Sequence, residues 1–233
     1  MRKFWRTLAY GLGMIGFAGG LAACTDFVDD GDNVYPAAAQ VSFYHASPDA
    51  PQLTVTVEEK NLFNAPLGYA QFSGYLNFYV GNREFKFKNG SNVLTDTTLL
   101  LKQNYSYSVF VINEDAAIET VVTIDTAEAP STGKAMVRFM QLSPDIAPID
   151  VSVEGESNDR FTALAYKQGS IFKEMSAGTF KFIMKNTATD DEIFKTNNIT
   201  LQAGRYYTII SRGYKTPPQG NTNTLNVQIV AND

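Results

Sequence analysis

The chain has one cysteine, one histidine and one tryptophan in 233 residues, and each scarcity closes off a class of chemistry. A single thiol forms no disulfide within the chain, and one imidazole is too few for a histidine-based zinc centre. Acidic residues outnumber basic ones, 24 to 19, so the positive field that nucleic acid binding requires is missing. No paired carboxylates, glycine-rich phosphate loop or zinc motif occurs at usable spacing. No cofactor is expected. The apolar stretch from Leu8 to Ala23 is broken by Gly11, Gly13, Gly16, Gly19 and Gly20, too short and glycine-rich for a membrane span.

That stretch has another reading. Arg2, Lys3 and Arg6 precede it, and it ends on Leu21-Ala22-Ala23-Cys24, which gives the charged, apolar and small-residue regions of an exported protein. Leu21 to Cys24 resembles a bacterial lipobox. The resemblance implies cleavage after residue 23, acylation of Cys24, and a membrane partner reached through lipid. Removing residues 1–23 leaves 16 basic residues against 24 acidic ones, a formal charge of −8. Residues 24–37 then read as an acidic tether, with Asp26, Asp29, Asp30 and Asp32 and too little apolar content to pack. These acids lack the alternate spacing and distal glutamate of a calcium loop. Asp26, Asp29 and Asp30 resemble the surface-export signal of certain outer-membrane lipoproteins, which implies a location on the outer membrane facing the cell surface.

The rest is a duplication. Val41 to Glu58 aligns without gaps on Val137 to Glu154 at an offset of 96, with eight of eighteen positions identical. The match resumes with Phe85-Lys86-Phe87 against Phe180-Lys181-Phe182, and with Leu101 to Phe110 against Leu201 to Ile210. Such a period suits a small sandwich domain rather than a solenoid repeat. Apolar residues alternate at Val41 and Phe43, at Leu53, Val55 and Val57, at Phe85 and Phe87, and at Tyr105, Tyr107 and Val109, the period of half-buried strands. Asn89-Gly90 predicts a type I′ hairpin turn. The expected fold class is all-β: two tandem antiparallel immunoglobulin-like β-sandwich domains at 38–125 and 134–233. A linker at 126–133, rich in small residues, is expected to bury little and leave each domain an independent folding unit.

His45-Ala46-Ser47-Pro48-Asp49 holds the residue types of a hydrolytic triad, but all on one strand end and its turn, whereas a triad needs partners converging from separate elements. The second copy keeps Ser143, Pro144 and Asp145 and has Gln141 in place of His45. A structural turn accounts for what both copies share: proline presets φ, and Ser47, Asp49 and their counterparts bond nearby backbone amides. No catalytic residue is assigned. A hydrolase using His45 with Asp49 or Glu58 ranks last among the alternatives. Tyr69, Tyr75, Tyr79, Tyr206 and Tyr214 are candidate exposed platforms for a ligand, although most aromatics in alternating strands are core. Asp125-Thr126-Ala127 resembles a short O-glycosylation acceptor that a linker would leave accessible.

His45 to Pro51, followed by the alternating Leu53 to Val57, resembles the hallmark of the bacterial domain-of-unknown-function family forty-three ninety-seven. In the second copy the histidine is lost and the proline shifts to Pro148. The resemblance spans about residues 38–231. It implies immunoglobulin-like sandwiches, often in tandem, in secreted or lipid-anchored envelope proteins, and no enzymatic activity. The function expected is that of a lipid-anchored, surface-displayed structural or adhesive binding module, with an envelope protein or glycan as partner. The alternative is a carbohydrate-binding accessory of a polysaccharide-uptake system. Contacts are expected on end loops or on one exposed sheet face that includes unburied tyrosines, and the loops Asn61 to Gly68 and Gly213 to Thr224 are expected to differ most between the copies.

Overall fold

In the computed structural model, which describes residues 37–114 and 117–232, the alternating segments form strands and no α-helix is present among the described residues. The signal segment, Cys24 and the tether up to residue 36 lie outside the described residues. The first repeat has β1 (Ala38–His45), β2 (Thr54–Val57), β3 (Lys60–Asn61), β4 (Phe72–Tyr79), β5 (Gly81–Asn89), β6 (Asn92–Leu101), β7 (Ser106–Ile112) and β8 (Glu119–Ile124). The second has β9 (Lys134–Gln141), β10 (Ile149–Val153), β11 (Asp159–Leu164), β12 (Gln168–Gly169), β13 (Lys173–Ser176), β14 (Gly178–Phe180), β15 (Phe182–Asn186), β16 (Glu192–Lys195), β17 (Ile199–Leu201), β18 (Tyr206–Arg212) and β19 (Asn226–Ala231).

Each repeat is a two-sheet sandwich, as its alternation predicts. In the first, β4-β1-β7-β8 faces β3-β2-β5-β6; in the second, β12-β9-β18-β19, with β13 also on β9, faces β11-β10-β15-β16, and β14 pairs with β17. The alternating residues supply the first core: Val41, Phe43, Leu53, Val55, Phe85, Phe87, Tyr107 and Val109 pack together. Pairing is antiparallel except that β1 runs parallel to β7 and β9 parallel to β18.

Register refines two details of the duplication. Val57 pairs with Phe85 and its counterpart Val153 with Phe182, so Phe85 corresponds to Phe182 and Arg83 to Phe180. The two Phe-Lys-Phe runs that match in sequence therefore sit two residues out of step. The expected hairpin between β5 and β6 forms, but Asn89 pairs with Asn92 and the turn is Gly90-Ser91. Only Gly90 has positive φ there, at 60°, the pattern of a II′ rather than a I′ turn.

The central strands depart from the half-buried expectation. From Val41 to His45, and from Tyr107 to Ile112, every residue is buried, because the far face of this sheet is covered by the far face of β9-β18-β19. Tyr44, Ala46, Phe110 and Ile112 of the first repeat form one apolar cluster with Met140, Leu142, Ile210 and Val230 of the second. The order of layers is outer sheet, central sheet, central sheet, outer sheet, and Pro36–Asp233 make one compact unit. Strands buried on both faces read as continuous apolar runs, as parallel-paired central strands commonly do. Val109-Phe110-Val111-Ile112 is such a run.

Candidate functional site

The seam between the repeats gathers most of the buried polar chemistry. At one end Arg138, whose side chain is 3% exposed, places Nη2 2.5 Å from Oδ1 of Asp125. Asp125 also accepts hydrogen bonds from Tyr75 and Ser108 on Oδ2 and from Thr123 on Oδ1. Arg138 Nε donates to Thr208, Thr208 donates to Asn232, and the Asn232 amide donates to the Tyr75 hydroxyl. The ring closes through Asp125 and crosses the seam twice. Burial, and next the charge on Asp125, push the Tyr75 hydroxyl well above the usual tyrosine range, so it stays a donor. Asp125 is therefore not an accessible part of an acceptor motif, although Thr126 beside it is exposed.

At the other end lie the two Ser-Pro-Asp turns. The side chains of Ser47, Ser143 and Asp145 reach across the sheet. Ser47 Oγ donates to the carbonyl of Asn113, and Ser143 Oγ to the carbonyl of Gly213 at 2.5 Å. Asn113 and Gly213 hold the same place after β7 and β18, with φ of 73° and 81°. A Cβ on Gly213 would lie 2.3 Å from the Thr224 carbonyl oxygen, so glycine is required there. Asp145 accepts from the backbone amides of Lys215 and Thr216, both at 2.7 Å, which fastens the second turn to the loop after β18. That loop in turn reaches the first repeat, where the Asn221 and Asn223 amides donate to the Pro48 carbonyl. Asn221 and Asn223 thus tie the loop Gly213 to Thr224 to the seam, while residues 215, 216, 218–220, 222 and 224 stay exposed.

His45 is fully buried, its Nε2 is 3.0 Å from the Pro51 carbonyl, and its ring stands edge-on to Tyr69. A carbonyl only accepts, so Nε2 carries the proton. With Ser47 committed to Asn113, histidine, serine and aspartate form no triad. Burial, only partly offset by the Pro51 carbonyl, lowers the His45 pKa below 6.5. A folded-state value below the unfolded one means that this group's stabilising share is complete above pH 6.5 and is lost as acid drives proton uptake by the unfolded chain. Stability is accordingly expected to decline between pH 7 and 5 more steeply in the wild type than in His45→Gln, which copies Gln141. Melting curves across that range give the comparison, and identical slopes would refute it.

The five candidate tyrosines separate clearly. Tyr79 is 62% exposed, whereas Tyr214 is 2% exposed and Tyr69, Tyr75 and Tyr206 are half-buried. Tyr69 lies under the Arg212 guanidinium, Tyr75 belongs to the polar ring, and Tyr206 donates to the Glu128 carbonyl. Periodicity marks which face of a strand a residue occupies, but gave no sign that the outer face of a central sheet would be covered.

Beside the ring, a groove of about 580 Å³ opens between β8 and the β9 edge, lined by Val122, Ile124, Met140, Ile171 and Phe172, with Arg138 among its lining residues. Among the described residues, Val122, Ile124 and Ile171 are three of the seven exposed large hydrophobic residues, and Ile171 is the most exposed at 78%. β8 pairs with β7 without a register shift and is the last strand of its sheet, and its residues Val121 to Ile124 line this groove. Sequence periodicity missed the groove because it exists only once the repeats are packed.

A family model described as "Domain of unknown function (DUF4397)" matches residues 39–152 and 135–230. No curated protein matches the chain. Among solved structures, it is similar to one of alpha-glucan binding by a streptococcal virulence factor, at 12% identity over 74% of this chain and 92% of that one, with a TM-score of 0.23. It is also similar to CBMbc (family CBM26) of Eubacterium rectale Amy13K in complex with maltoheptaose, at 11% identity over 79% and 99%, with a TM-score of 0.23. Superpositions this loose leave the reading of the site to the chain's own residues.

Proposed function

Since the chain belongs to the DUF4397 family, whose model covers both repeats, we propose that it is a non-catalytic binding module of the cell envelope. In this reading Cys24 carries the lipid that anchors it to the outer membrane, the tether places the repeats at the cell surface, and the inter-repeat groove takes an extended segment of a partner protein. The observation that carries the reading is that the exposed Val122, Ile124 and Ile171 line one groove beside β8, the last strand of its sheet. An unbulged edge rich in β-branched residues offers backbone hydrogen bonds to an added strand, and the exposed side chains offer apolar contact. The groove also continues the apolar layer between the repeats, because Met140 belongs to both.

Anchoring and binding are tested together. Lipid-modified chain is expected in the membrane fraction, and Cys24→Ala is expected in the soluble one, because several acyl chains anchor stably where none does. Immobilised full chain is expected to retain an envelope protein that the Ile124→Lys, Ile171→Lys variant does not retain. Membrane association of Cys24→Ala equal to wild type would overturn the anchor. Equal retention by both chains would overturn the groove.

A further inference from the structure

The duplication places the same pocket in both repeats and leaves it open in only one. In the first repeat, the end of β4, the β2–β3 turn and β5 enclose about 360 Å³ between Ala38, Val57, Glu58, Asn77, Phe78, Tyr79 and Arg83. Ala38 pairs with Tyr79, and its counterpart Lys134 pairs with Ser176. The equivalent place in the second repeat, between Lys134, Glu174, Met175, Ser176 and Phe180, holds about 100 Å³. There Lys134 Nζ donates to Ser176 Oγ at 2.9 Å and Arg160 pairs with Glu156, so the polar groups satisfy one another.

In the open pocket only Arg83 is engaged, donating to the Asn82 and Val80 carbonyls. Tyr79 is 62% exposed, and neither its hydroxyl nor the Asn77 amide has a hydrogen-bond partner among the described residues. Glu58 and Arg83 stand 3.8 Å apart, close enough to balance in charge and too far for a direct hydrogen bond. The turn that presents Glu58 is strained. Glu58 and Glu59 occupy the two central positions of a two-residue hairpin loop with φ of 48° and 60°, where glycine or asparagine is the usual choice. The second repeat places Gly155, with φ 85°, where Glu59 stands. Glu59 is held in place by hydrogen bonds from Lys86 and Lys88. Strain held at a surface turn beside an open pocket, and relieved beside the closed one, points to a role for the open one.

We propose that this pocket of the first repeat binds a neutral hexose-based oligosaccharide. A sugar ring has an apolar C–H face, which the accessible Tyr79 ring can cover. Its vicinal hydroxyls both donate and accept, matching the Glu58 carboxylate, the Asn77 amide and the Arg83 donors that the carbonyl contacts leave over, all of which line the same pocket as Tyr79. One acidic and one basic group leave the pocket without net charge to select an ionic ligand. The volume lies in the lower part of the range of small-ligand sites. Open shape and few buried contacts suit recognition of part of a longer chain rather than enclosure of a whole molecule.

This inference rests on the binding-module reading, since it assumes that ligand is held and not converted. Saturation-transfer NMR and calorimetry of the full chain, in a detergent without a sugar headgroup, test it with maltohexaose, cellohexaose, laminarihexaose and mannohexaose. At least one is expected to bind saturably. Tyr79→Ala is expected to weaken it by about tenfold or more at unchanged melting temperature, since Tyr79 is exposed. Glu58→Gln is expected to weaken it several-fold, and Ser176→Ala in the closed pocket to leave it unchanged. Absence of saturable binding by all four, or equal affinity of Tyr79→Ala, would overturn the pocket while leaving the groove reading intact. Shortened oligosaccharide products accumulating over many turnovers would instead overturn the non-catalytic reading.

Discussion

Asp125→Ala is expected to destabilise the chain by about 3 to 5 kcal/mol, the cost of leaving a buried guanidinium without its counter-charge. The carboxylate is the hub of the ring, receiving Arg138, Tyr75, Ser108 and Thr123. Removing it leaves the Arg138 charge in a site whose side chain is only 3% exposed, with Phe172 against its face. Replacing both charges is expected to be far milder: in Asp125→Ala, Arg138→Met no uncompensated ion remains and a side chain of similar length refills the space. Urea denaturation of the two variants makes the comparison. A single variant as stable as wild type, or a double variant no better than the single one, would show that the ring contributes little.

The second large effect concerns the repeats apart. Chains covering 36–127 and 132–233 are expected to melt well below the intact protein, or to aggregate, and to associate when mixed. Separation uncovers Tyr44, Phe110 and Ile112 on one side and Met140, Leu142 and Ile210 on the other, all at most 1% exposed in the whole chain. Full burial of side chains of this size stabilises by about 1.5 to 3 kcal/mol each, and the cut also strands Asp125 from Arg138. Thermal melts and sedimentation of each half are the measurement. Halves that melt at the temperature of the intact chain and ignore one another would mean that the seam adds nothing to either fold.

This expectation reverses the one drawn from the linker. Residues 126–133 are mostly exposed, as their composition predicts. A linker's composition describes only the linker, however, and the seam is built from strand faces on either side of it. Thr208 and Ser211 beside Ile209 and Ile210 read as an ordinary strand with two polar positions. Both are fully buried, and Arg138 and Gln141 on the neighbouring strand β9 satisfy their hydroxyls.

The Ser-Pro-Asp turns show the same division at the level of single bonds. Proline and aspartate in both copies mark a turn from sequence alone. The partners of that turn, Asn113 and Gly213, lie 66 and 70 residues further on. They arrive because β1 lies parallel to β7, and β9 to β18, so the strand ends of each pair coincide. No local pattern encodes that pairing, since parallel neighbours are joined by long crossovers rather than by tight turns.

What the sequence by itself determined is therefore what local sterics and period-two burial control: strands throughout, the duplication, the alternating core of each sandwich, the turns, and the signal-like start with its cysteine. What only the tertiary structure decided is which faces meet. A strand's alternation separates its two faces but does not say whether the second meets water or another sheet. That choice buried Tyr44 and Asp125, opened the groove beside β8, and left Tyr79 as the most exposed of the five candidate tyrosines. The physical reason is that burial is a property of surfaces brought together in space, and hydrogen-bonded partners across the seam are separated in sequence by as many as 184 positions.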